Sequence, residues 1–145
     1  MAEVYSLFIA FVHRQAVREV DSVNALADKG FEGCIHGRPG SKRQVLLIDK
    51  ETLEELGIAA GAVKENVTTK GLDLSKVREG QRLRVGRAML EVTGPCHPCD
   101  RMDEIRPGLQ DALRSRRGIL CRVLETGRVQ RGDRIEVLDF GQVGS

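Results

Sequence analysis

With 145 residues, 41% hydrophobic and 30% charged, the chain is long enough for one domain spanning 1–145 with its own core. It holds no apolar run near the ~20 residues of a membrane helix, so no membrane partner is expected. Its net charge of +2 excludes a strongly polycationic or polyanionic protein, and an aromatic content of 3% leaves few stacking platforms for nucleic acid, which is not expected as a partner.

That charge is uneven. Residues 76–134 carry 14 Lys and Arg against 8 Asp and Glu, a setting that favours an anionic small molecule. The start of the chain lacks a basic segment before its apolar stretch, so no signal peptide is read there and a cytoplasmic location is expected. In that compartment Cys34, Cys96, Cys99 and Cys121 are expected to be reduced, and to be reactive, metal-binding or buried rather than a disulfide framework.

Taken in order, residues 4–12 are β-rich and apolar on both faces, the pattern of a buried strand. Residues 17–23 alternate roughly, with Val17, Val20 and Val23 broken by charges, and read as a second strand. Residues 30–40 hold four glycines and a proline and read as a long irregular loop, of the kind that is usually functional or mobile. Residues 44–48 form a short apolar strand. Asp49 is then a good N-cap for a helix over 50–56, with Gly57 ending it in the left-handed conformation and Ile48 and Leu53 at the staple positions.

In residues 64–71, Val67, Thr68 and Thr69 prefer strand, but the polar density is too high for a core segment. Residues 72–77 make one short helical turn. The runs 81–85 and 88–93 flank Gly86-Arg87 as a hairpin, and 121–124 leads through Thr126-Gly127 to 133–138. Between these β units Leu109, Ala112 and Leu113 share one helical face. Arg114, Arg116 and Arg117 crowd its last turn, where the dipole favours cations, and Gly118 stops it. The fold class is mainly β with a few short helices, in a β-barrel or a strongly bent sheet.

The stretch Gly94-Pro95-Cys96-His97-Pro98-Cys99-Asp100-Arg101 concentrates the chemistry. Its prolines stiffen a loop that a strand delivers. Cys96-x-x-Cys99 invites a zinc reading, but a structural site needs four ligands and no second pair exists. Cys34, His36 and His97 complete one only if the glycine loop folds onto the cysteine loop. The alternative is a single reactive thiolate at Cys99, with Arg101 beside it to keep it ionised, able to carry sulfur or to ligate a soft metal. Cys121, between Leu120 and Arg122 in a strand, reads as buried filler. Taken singly, Arg43-Gln44 reads as an exposed strand entrance and Glu65-Asn66 as turn polarity.

As an ordered set, these markers resemble the MOSC domain family, named for the C-terminal part of molybdenum cofactor sulfurases. They are Gly30-Phe31-Glu32-Gly33, Arg43-Gln44-Val45, Glu65-Asn66-Val67-Thr68, Gly80-x-x-Leu83-x-Val85-Gly86, Pro98-Cys99, Arg117-Gly118 and Gly132-Asp133. The resemblance implies a MOSC-type, β-barrel-like fold of mixed strands and a key cysteine at Cys99, with Cys96 and Cys34 as alternative thiols. It also implies molybdenum cofactor (molybdopterin), an anionic pterin, held by Arg43, Asn66, Arg101 and Arg117, with molybdenum on Cys99 where the metal is bound. The implied chemistry is sulfur transfer through a persulfide, or molybdenum-dependent reduction of N-hydroxylated compounds; a non-catalytic cofactor carrier and a structural zinc protein are the alternatives. A sulfur donor or a molybdoenzyme is the implied protein partner. Cys34 stands where the family usually has an acidic residue.

Overall fold

The computed structural model describes residues 2–12 and 15–140; residues 1, 13, 14 and 141–145 of the expected 1–145 domain lie outside it. In chain order the elements are β1 (Glu3–Ile9), β2 (Arg18–Val20), β3 (Ser22–Leu26), β4 (Gly30–Phe31), β5 (Val45–Asp49) and α1 (Lys50–Leu56). There follow β6 (Val67–Lys70), a 3-10 turn (Leu74–Lys76), β7 (Gln81–Val85), β8 (Ala88–Pro95), α2 (Met102–Ile105), α3 (Leu109–Ala112), β9 (Ile119–Glu125), β10 (Gly127–Gln130) and β11 (Ile135–Phe140).

Eight strands form one sheet in the order β11-β7-β8-β9-β5-β6-β1-β2, and β10-β3-β4 form a second. Among the described strands β5 and β6 pair in parallel and the other pairs are antiparallel, so the large sheet is mixed. It curls until β1 meets the entrance to β11, where Glu3 bridges Arg134 and the Val4 amide donates to the Asp133 carbonyl at 2.8 Å. The sheet is barrel-like and open, as the fold class anticipated.

The apolar run of β5 needs cover on both faces, and receives it. Leu47 joins the main core, where Leu7, Val67 and Ile119 stand across from one another in register and Val23, Ala25, Phe31 and Val129 come from the small sheet. Ile48 points the other way, into a second cluster with Leu53 of α1, Val63, Met102 of α2, Leu109 and Leu113. Asp49 caps α1 by accepting from the Thr52 amide at 3.1 Å, and Gly57 closes it at φ 69°. Cap, staple and stop all lie where the sequence reading put them.

Four expectations need correction. The 17–23 strand is divided at Asp21, β2 extending the large sheet and β3 entering the small one. The 30–40 loop opens with two residues of strand, β4. Thr126-Gly127 does not lead directly to β11: β10 intervenes and crosses to the small sheet. Finally, Val67-Thr68-Thr69 is a core segment, central in the sheet between β5 and β1 and buried at all three positions. Its polar groups are accommodated because they bond internally: Thr68 Oγ1 donates to Glu65 Oε2 at 2.6 Å.

Candidate functional site

β8 delivers the cysteine loop, as expected, and β9 holds it in place. Pro95 pairs with Ile119, and one step further the Cys96 amide donates to the Gly118 carbonyl at 2.9 Å. This tie buries Cys96, with 7% of its surface exposed, and the chain then turns outward. The Cys99 carbonyl accepts the Met102 amide at 3.0 Å, which starts α2, while the Cys99 thiol is exposed. Arg101 is exposed at the entrance of the same helix. One thiol of the pair is therefore packed inside and the other faces solvent. All four cysteines are free thiols, and Cys121, fully buried, has its pKa pushed up by desolvation and by the charge of Glu91.

Arg117 is not a cation of a helix end. α3 stops at Ala112, and Ser115 takes a left-handed φ of 65°. The chain must then run between β5 and β8, close enough that a Cβ on Gly118 would lie 2.2 Å from the Leu47 carbonyl oxygen. Glycine is required there, and helix is impossible. Arg117 turns inward and donates through Nη2 to the Val63 carbonyl at 2.7 Å, and its Nη1 is buried without a partner. Val63 packs with Met102, so Arg117 and the cysteine loop meet the same small cluster. Arg116 turns the opposite way, to the Glu55 carboxylate of α1.

Asn66 and Cys34 form a second group. Asn66 Oδ1 accepts the Leu46 amide at 3.0 Å, and its Nδ2 donates to the Phe8 carbonyl at 3.3 Å and to Cys34 Sγ at 3.4 Å. Burial raises the pKa of Cys34. Hydrogen bonds from the His36 side chain, from backbone at Ala10 and His36, and from Asn66 outweigh that effect and bring it to about 7. Glu65 beside it is fully buried; Oε2 accepts the Gly61 amide at 2.9 Å, and Oε1 has no partner. Glu65-Asn66 is therefore interior framework, not turn polarity.

Arg43 is exposed, as a strand entrance should be, and its neighbour Gln44 is fully buried. Gln44 Nε2 donates to the Arg38 carbonyl at 3.0 Å, and Oε1 accepts the Val123 amide at 2.9 Å. The sequence reading overlooked Gln44 and Glu65 as structural residues. The available signal was their position, Gln44 directly before β5 and Glu65 two residues before β6, both strands with buried residues.

A cleft of about 580 Å³ opens beside the cysteine loop, where Gly94, Pro95, Arg116 and Gly118 meet the start of α1 and the 3-10 turn. Arg78 and Arg116 give it positive charge. Two of its carboxylates are engaged as caps: Asp49 on Thr52, and Asp73 on Ser75, whose hydrogen bonds lower the Asp73 pKa. Arg43, Asn66, Cys99 and Arg117 are not among the residues lining it. Among the described residues no three His, Cys, Asp or Glu side chains converge as metal ligands, so the four-ligand zinc arrangement is not assembled. No described helix is long and apolar enough to cross a membrane.

The profile of the MOSC domain matches residues 32–136. The fold resembles the YUAD protein from Bacillus subtilis, with a TM-score of 0.81 and 24% identity over 96% of each chain. It also resembles YiiM from Geobacillus stearothermophilus, at a TM-score of 0.75 and 21% identity over 96% of this chain and 76% of that one. YiiM from Escherichia coli follows at 0.71 and 22%, over 98% and 69%. No curated protein matches the chain.

Proposed function

The chain belongs to the MOSC domain family, and on that premise we propose that it binds molybdenum cofactor, an anionic pterin, and carries sulfur on the thiolate of Cys99. One observation carries this reading: of the four cysteines only Cys99 is exposed, on a loop pinned at Cys96 to the Arg117-Gly118 segment. A sulfur carrier must meet its donor, and a buried thiol cannot.

The residues present fit such an anion. The buried Nη1 of Arg117 is an unanswered donor, and a phosphate oxygen is its natural partner. Exposed Arg101, at the start of α2, supplies positive charge beside the thiolate. Arg43 is exposed and open to a phosphate contact. Asn66 has both donors engaged and supports the site by holding Cys34 and Phe8 in place. The adjoining cleft of about 580 Å³ is of the size that small ligands occupy.

In the sulfur step, the Cys99 thiolate attacks the outer sulfur of a donor persulfide. The donor S–S bond breaks, a new S–S bond forms on Cys99, and the donor leaves as a thiolate with no net oxidation. A molybdenum cofactor, held through its phosphate by Arg117 and Arg43, would supply a metal centre with affinity for sulfur.

Intact-mass and metal analysis of protein from a cofactor-producing host tests the reading. We expect molybdenum and a ~32 Da adduct (one sulfur atom) on Cys99, and loss of the adduct in Cys99→Ser with unfolding unchanged. Equal loading of Cys99→Ser would remove Cys99 from the assignment. An adduct on Cys34 instead would transfer the role to that thiol, and cofactor without any adduct would leave a carrier that moves no sulfur.

A further inference from the structure

A second groove, of about 340 Å³, lies at the other end of β8 from the cysteine loop. Seven strand steps separate the ends of β8, about 23 Å at the usual rise. The groove is lined by Arg84, Arg87, Arg128 and Arg134, with Asp133 and Glu136. All four arginines fall in the basic stretch 76–134, whose excess charge the cysteine site does not account for.

The groove has a rigid frame. The hairpin turn is tied to both neighbouring segments: the Gly86 amide donates to the Arg134 carbonyl and the Arg87 amide to the Arg128 carbonyl, each at 3.1 Å. At Gly86, with φ 58°, a Cβ would lie 2.4 Å from Asp133 Oδ2, so only glycine lets the turn close this tightly. Two of the guanidinium groups have partners outside the groove lining, Arg128 at Ser22 Oγ at 3.1 Å and Arg84 at Glu125 at 3.5 Å. Asp133 is engaged with the Gln130 amide at 2.8 Å. Arginines on β7, on β10, in the hairpin turn and at the entrance to β11 thus line one groove with two carboxylates, of which Asp133 accepts from the Gln130 amide.

We propose that this groove is a binding site for a compact polyanion of the diphosphate kind, separate from the cysteine site. Arginine forks bind phosphate oxygens in pairs, and their preorganisation limits the entropy lost on binding. No aromatic side chain lines the groove, which disfavours stacked bases and favours a small ligand.

Calorimetric titration with inorganic pyrophosphate tests this on the wild-type chain and on Arg87→Gln, Arg128→Gln, Arg87→Lys and Arg114→Gln. Arg114 pairs with Asp111 away from the groove and serves as the control. We expect one saturable site, weakened about tenfold or more by either Gln substitution in the groove. Arg87→Lys should recover part of the loss, and Arg114→Gln should change nothing. Thermal unfolding confirms that each variant folds. Absence of saturable binding, or equal weakening by Arg114→Gln, would overturn the proposal, the latter by showing diffuse attraction. Loss of pyrophosphate binding in Arg117→Gln would also overturn it, by placing the anion at the cysteine site. Unchanged binding in Cys99→Ser keeps this proposal independent of the sulfur-carrier reading.

Discussion

The amide of Asn66 has one acceptor and two donors, and three parts of the chain claim them: Leu46, Phe8 and Cys34. The Leu46 amide fixes which end of the side chain is oxygen, so the donor to Cys34 is determined and the thiolate is the form it favours. The Cys34 thiolate should therefore form with a pH midpoint near 7, the value to which its pKa is lowered from 9.0. Asn66→Ala should raise that midpoint and destabilise the fold by about 2–3 kcal/mol, since a backbone amide loses its partner. Ultraviolet absorbance of the thiolate, compared between the wild-type chain and Cys34→Ser, and urea unfolding measure the two effects. The sign of the linkage follows: the thiolate's contribution to stability is complete above about 9 and is lost as pH falls through about 7. A midpoint that Asn66→Ala leaves unmoved would show that Asn66 does not hold the thiolate. Sequence alone could not place these residues inside, because Asn66 and Gln44 look like surface polarity until partners such as Phe8, Cys34 and Val123 are brought from elsewhere in the chain.

At the scale of elements, α1 was legible residue by residue. Asp49, Ile48, Leu53 and Gly57 lie in one short stretch from just before α1 to just after it, so local chemistry decides them. Asp49→Ala should cost about 1 kcal/mol, read as a lowered urea midpoint with unchanged slope. A loss well beyond that would mean Asp49 also serves the adjoining cleft. The segment after Ala112 was illegible for the opposite reason. Its sequence is compatible with helix, but Gly118 must press against the Leu47 carbonyl and Arg117 must reach Val63. Contacts with distant segments overrode local propensity there.

The whole molecule is organised by β5, which is buried on both faces. Leu47 and Ile48 are each fully buried but belong to different clusters, so adjacent residues link the sheet-to-sheet core to the helix-covered face. Leu47→Ala should destabilise by about 2–5 kcal/mol. It should lower the unfolding midpoints seen by near-UV and far-UV circular dichroism together, because one sheet joins the two clusters. Separate transitions by the two probes would show that the helical side unfolds alone. At this scale the sheet presents an exposed thiol after β8 and an arginine-lined groove before it.

The sequence by itself determined the strand-rich class, the β5–α1 unit, the β7–β8 hairpin and the loop that carries Cys96 and Cys99. Each depends on residues within about ten positions, where apolar periodicity, glycine and proline act directly on the backbone. The ordered motifs also pointed to the MOSC family, whose profile the chain matches. Only the tertiary structure decided which thiol is buried and which exposed, that β6 is interior, that β10 crosses to the second sheet, and that Arg117 turns inward. These depend on hydrogen bonds and close approaches between segments tens of residues apart: Cys96 to Gly118, Arg117 to Val63, Asn66 to Phe8 and Cys34. A polar side chain carries no mark of its partner until folding supplies one.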